Sequence, residues 1–128
     1  MCIICINEQK EETMYDTNNV FAKILRNEIP STRVFENEYA IAFQNIDPRA
    51  KTHVLVIPRG EYTDFYDFTT RAPIEAQLGF WHAVTETADA LGINGNFRIV
   101  ANTGAGAGQS VFHFHIHLMS DAKFKTDF

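Results

Sequence analysis

The residues that most limit how this chain can fold are His113, Phe114, His115, Ile116, His117 and Leu118, an unbroken alternation of imidazole and apolar side chains. A β-strand turns successive side chains to opposite faces, so this pattern predicts a strand with its three imidazoles on one side. Phe114, Ile116 and Leu118 then face the other way, into a core. Desolvating three imidazoles costs free energy and gains little packing, which points to chemistry at this face. Just upstream, residues 102–110 form a loop in which Gly104, Gly106 and Gly108 let the backbone approach an anion such as phosphate. A metal site is the natural rival, since neutral imidazole is a common zinc ligand. Residues four apart in a strand are about 13 Å apart at Cα, whereas zinc holds nitrogens at about 2.0–2.1 Å. Two of these histidines could share an ion, but three would need a bent strand. Geometry places a phosphate-handling site ahead of a metal site.

A chain of 128 residues is long enough for one domain with a real core. Its 45% hydrophobic and 21% charged content is that of a soluble globular protein. No apolar run approaches the roughly 18 residues of a membrane span. The apolar start, residues 1–6, lacks a basic leader and is cut off by Asn7, Glu8 and Lys10. The expectation is a cytoplasmic protein without a membrane partner. A net charge of −5 argues against nucleic acid as a partner, because that binding depends on clustered Lys and Arg. A small nucleotide stays open, since it needs only local donors. Cys2 and Cys5 form a C-x-x-C with no second pair and no thioredoxin-like unit behind it, and read as free thiols.

Residues 1–13 read as an N-terminal extension and 14–128 as a single domain. A short helix is expected over 20–25, stopped by Asn27 and Pro30. Residues 33–36 and 39–44 alternate in polarity around Asn37 and Glu38, which suggests a hairpin. Residues 53–57 make a strand ended by Pro58, 62–68 a short helix or turn, and 97–101 a further strand. The clearest helix covers 73–91, with Pro73 in its first turn and Gly92 as its stop. Along it Ile74, Leu78, Trp81, Thr85, Ala88 and Leu91 trace one face, assigned to the core. His82 falls about 100° off that stripe and is expected to be exposed or at a subunit contact. Several strands with one long helix and a short N-terminal helix imply an α+β fold with an antiparallel sheet.

The run from Gly108 to Met119 resembles the signature of the histidine triad (HIT) superfamily, in which three histidines alternate with apolar residues. Three other stretches resemble it in order: residues 20–24 with Glu28, Ile29, Pro30 and Ser31; residues 43–48; and residues 52–58. With Asn102, the resemblance covers roughly residues 18–119. It is most similar to the histidine triad nucleotide-binding branch, purine nucleoside phosphoramidate hydrolases that are typically homodimers. The resemblance implies a HIT-like sheet and a purine nucleotide substrate of AMP or GMP type, with no cofactor. His115 matches the nucleophile, which forms a covalent nucleotidyl-histidine that water then hydrolyses. A carbonyl around His113 would fix its tautomer. His117 matches the residue that binds phosphate and helps the leaving group, and His53 the family's fourth histidine. Ser110 and the amides near Gly108 and Gln109 would contact the phosphate, with Asn102 beside them. Val20, Phe21, Ile24 and Ile46 would line the nucleobase pocket.

Some positions depart from the pattern. Asn45 stands where the family usually has an Asp that holds the ribose hydroxyls, so a charge-assisted acceptor is lost. Some members carry Cys at the positions matching Asn19 and Ala22, completing a zinc site with histidines matching His53 and His113. Those cysteines are absent here, so no metal is expected. The end of the chain lacks the Trp-Pro pair of many nucleotide-binding members, which leaves the leaving group open. A dinucleoside polyphosphate hydrolase of the fragile histidine triad type is the alternative enzyme. That branch tends to carry Gln where Asn102 stands and generally lacks the block around Ile29 and Pro30. A uridylyltransferase-type member would have Gln in place of His117, whose presence argues for water as acceptor. A non-catalytic nucleotide-binding protein is the alternative of another class.

Overall fold

In the computed structural model, which describes residues 14–124, the strands form one five-stranded sheet in which every neighbouring pair is antiparallel. The expected extension, with Cys2 and Cys5, lies outside the described residues. A short helix α1 (Val20–Leu25) comes first, capped by the Asn19 side chain on the amide of Ala22 and followed by Asn27 at φ 62°. Strands β1 (Arg33–Glu36), β2 (Ala40–Gln44) and β3 (Thr52–Pro58) follow as a meander. The Asn37 carboxamide closes the first turn by accepting from the amides of Tyr39 and Ala40. Helices α2 (Phe65–Arg71) and α3 (Ile74–Leu91) then carry the chain across the sheet. It returns as β4 (Arg98–Val100) at the far edge and β5 (Ile116–Ser120), which inserts between β3 and β4. The fold is α+β, as the sequence implies, and no helix among the described residues is long and apolar enough to cross a membrane.

Residues opposite one another in the ladder share a face, and the register sorts the sheet into two. Ala42, Val56 and Ile116 line up on one face, with Phe114 and Leu118 beside them. Phe68 of α2 and Phe80, Ala83, Val84 and Ala88 of α3 cover it, forming the larger core. Phe43, Leu55 and His117 line up on the other face. There α1 packs, through Phe21 and Ile24, onto Ile41, Phe43, Leu55 and Ile57, with Ile29 and Val111 beside it. An eighteen-residue helix thus shields one face while a six-residue helix shields part of the other. The half-covered face holds the imidazoles.

Two expectations are corrected. The buried face of α3 is Gly79, Phe80, Ala83, Val84, Thr87 and Ala88, and of the stripe assigned to the core only Ala88 is buried. Trp81 and Leu91 pack at its margin, Thr85 is exposed, and Ile74 and Leu78 are 74% and 54% exposed. Small residues let this helix lie close to the sheet: a Cβ on Gly79 would overlap the Tyr39 ring. His82 is exposed, and Pro73 is the N-cap rather than part of the first turn. The second correction concerns the histidines. Alternation of faces holds from 113 to 118, but only His117 lies within β5. The chain leaves the ladder earlier because the Phe114 amide donates to the Tyr62 carbonyl, 2.7 Å away.

Candidate active site

His113 is fully buried and lines neither cavity described below. Its Nε2 lies 2.8 Å from the carbonyl oxygen of Pro58, the last residue of β3, and its Nδ1 lies 2.6 Å from the Tyr15 hydroxyl. A carbonyl can only accept, so Nε2 carries the proton and Nδ1 accepts from the tyrosine. Burial holds this imidazole neutral, with its pKa down at about 4. The backbone carbonyl of His113 in turn accepts from His115 Nδ1 at 2.8 Å. The His115 proton is therefore on Nδ1, and the Nε2 lone pair is free. Burial lowers the pKa of His115 as well, favouring that neutral form, and Phe21 packs edge-on against the ring with centroids 4.9 Å apart.

A second chain of bonds orders His117. The Arg49 backbone amide donates to His53 Nδ1 at 2.9 Å, so a neutral His53 carries its proton on Nε2. That nitrogen lies 2.9 Å from His117 Nδ1, which must accept. His117 is left with its proton on Nε2. The Asn45 amide nitrogen, 3.2 Å from the same His53 nitrogen, is a donor and offers no competing acceptor, while Asn45 Oδ1 takes the Asp47 amide. Burial is the main cause that depresses His117 to about 4 and also lowers His53; neighbouring histidines add to the first and the Arg49 guanidinium to both. One imidazole thus presents a lone pair and its neighbour an N–H, with ring centroids 5.3 Å apart.

Both rings open onto two cavities that share Asn45, Ser110, His115 and His117. The larger, of about 760 Å³, has apolar walls from Val20, Phe21, Ile24, Phe43, Leu55 and Val111, with Ile46 fully exposed at its rim. The smaller, of about 420 Å³, is the more polar of the two and is lined by Asp47, Arg49, His53, Asn102 and Gly108 together with Val100 and Met119. Most candidate residues are thus brought together. Gln109 is not: its side chain is buried, donating to the carbonyls of Thr63 and Val111 and accepting from the Gly104 amide. The amides of Gly108 and Gln109 are also engaged, on the carbonyls of Ala105 and Gly104. Gly104 and Gly108, at φ 86° and 95°, are what the turn demands of its glycines. Among the described residues no group of three or more His, Cys, Asp or Glu side chains is arranged to hold a metal.

Sequence reasoning missed Leu55 and Phe43, although counting by twos from His53 reaches Leu55 on the same face. It missed Arg49, which lines the smaller cavity. It missed Tyr15 entirely, because a contact spanning 98 positions leaves no local pattern.

A family model described as HIT domain matches residues 26–124. The chain belongs to the HIT family. A 13.2 kDa HIT-like protein of Azospirillum brasilense is 49% identical over 107 residues, covering 83% of this chain and 88% of that one. A HIT-like protein of Rickettsia prowazekii is 36% identical over 111 residues, with 86% and 92% covered. Among solved structures, a HIT family hydrolase from Clostridium thermocellum superposes with a TM-score of 0.77 at 34% identity, covering 84% of this chain and 94% of that one. A HIT family hydrolase from Legionella pneumophila gives 0.78 at 33% identity, with 86% and 98% covered. Tyr15 lies upstream of the segment that the HIT model matches.

Proposed function

We propose that this HIT protein hydrolyses the P–N bond of purine nucleoside 5′-phosphoramidates of AMP type through a covalent nucleotidyl-His115. The observation that carries the reading is the His115 tautomer: Nδ1–H on the His113 carbonyl, and a bare Nε2 at the junction of an apolar and a polar cavity. The apolar cavity takes the base between Phe21, Ile24 and Val20, and Asn45 meets the ribose at the junction. With the phosphate against Ser110, the His115 Nε2 lone pair forms a bond to the α-phosphorus as the P–N bond breaks. The amine departs through the polar cavity, hydrogen-bonded to His117 Nε2–H, and takes its proton from solvent. Water then attacks the same phosphorus, breaks the P–Nε2 bond and returns its proton to solvent. Two easier displacements replace one difficult one. The hydrolases among the structural relatives support hydrolysis as the overall outcome. The working form in this reading is a homodimer.

The test is turnover of adenosine 5′-phosphoramidate by wild type and by His115→Ala. The expected loss is about a thousand-fold in kcat, with AMP binding retained. Wild-type protein that binds AMP but leaves the phosphoramidate intact would replace this reading by a non-catalytic one or by a phosphoanhydride substrate.

A further inference from the structure

The polar cavity holds two charged side chains for which the chemistry above has no use, Asp47 and Arg49. Among the described residues neither is hydrogen-bonded or ion-paired through its side chain. An ion pair between them would have neutralised the cavity, and it is not made. Each charge is therefore available to whatever enters. They are not tied equally to the reacting end. The Arg49 amide is bonded to His53, whose ring is bonded to His117, the imidazole on the leaving-group side, whereas the Asp47 amide is bonded to Asn45 Oδ1. Position matters as well as sign. Arg49 is anchored by its own backbone amide on His53 Nδ1, so the guanidinium springs from a point fixed relative to the His53–His117 pair.

We infer that Arg49 makes the polar cavity a subsite for leaving groups bearing an anionic substituent, a carboxylate or a phosphate, three or four bonds beyond the scissile nitrogen. The inference rests on the phosphoramidase reading for the reaction, and on the cavity and its charges for the selectivity. A planar guanidinium pairs with either anion through two parallel N–H donors, so both sources share one recognition chemistry. A neutral amine would gain nothing from the guanidinium.

Three AMP phosphoramidates with the same two-carbon spacer test this: one releasing β-alanine (carboxylate), one phosphoethanolamine (phosphate), and one β-alaninamide (neutral). The quantity read is the ratio of kcat/KM for each anionic compound to that for the neutral one. A misfolded fraction lowers every rate and leaves the ratio unmoved. For wild type the expected ratio is about two- to five-fold for at least one anion, the scale of an exposed ion pair. Arg49→Gln should bring it close to one, and Arg49→Glu below one. The anion with the higher ratio identifies the source. A wild-type ratio of one for both anions, or a ratio that neither substitution changes, overturns the inference. If wild type hydrolyses none of the three, the phosphoramidase reading fails by itself. The intact compounds then serve as equilibrium ligands. A Kd ratio that favours the anions in wild type and collapses in Arg49→Gln supports the subsite, and a ratio of one in both proteins overturns it.

Discussion

A fully buried imidazole is tolerable only when both nitrogens are satisfied, and His113 has the Pro58 carbonyl on one and the Tyr15 hydroxyl on the other. The arrangement is stable only while the ring stays neutral, because an added proton at Nδ1 would face a hydroxyl that is already donating. This ties stability to acid. In the unfolded chain the ring binds a proton from about pH 6.5 downward, whereas the folded chain resists until about 4. Between those values the unfolded state holds more protons, so stability rises with pH there and is lost as pH falls. For His113 the loss approaches about 3 kcal/mol, with a smaller share from His117, which is in partial contact with water. Urea midpoints measured between about pH 7 and pH 4 should fall from near 6.5 downward; a flat profile would contradict the assigned neutral rings.

At the scale of elements, α3 shows how close packing is achieved. Gly79 stands where the helix passes over Tyr39, and the ring occupies the space of a Cβ. Alanine normally favours a helix over glycine by up to about 1 kcal/mol, yet Gly79→Ala is expected to destabilise by about 1–3 kcal/mol through overpacking. Thermal melting would register this as a drop of several degrees, roughly 4–8 °C for each kcal/mol. An unchanged or higher Tm would show that Tyr39 simply rotates away. The same helix shows where sequence patterns stop being legible. Its limits were readable from Pro73 and Gly92, because caps are local chemistry. Its buried face was not, since two stripes fit a helical period and the larger side chains, Ile74 and Leu78, sat on the exposed one. In the strands, by contrast, period two leaves one choice, so His115, His117 and the core face of Phe114, Ile116 and Leu118 were legible. Legible too was the grouping of Val20, Phe21 and Ile24 on the wall of one apolar cavity. Tyr15 and the inward turn of Gln109 depend on partners far along the chain and had no local signal.

For the whole molecule, the surface carries apolar groups that a lone protomer leaves wet. Ile74 and Leu78 protrude from α3, and Phe97 and Ile99 lie at the free edge formed by β4, 39% and 41% exposed. An open strand edge and an apolar helix stripe are what association covers. The proposed homodimer should appear in sedimentation equilibrium as twice the chain mass at micromolar concentration, and Leu78→Glu should shift it towards monomer. Wild-type protein sedimenting as a monomer would remove the dimer from the proposal.

The order in which the sheet is strung also has a consequence in time. Helix α1 and strands β1 to β3 come from the first half of the chain, while His115 and His117 come from beyond residue 110. During synthesis β3 waits with one edge bare, and β4 has no neighbour until β5 slides in between them. A chain interrupted before residue 113 would carry the helix and strands that wall the apolar cavity but neither His115 nor His117.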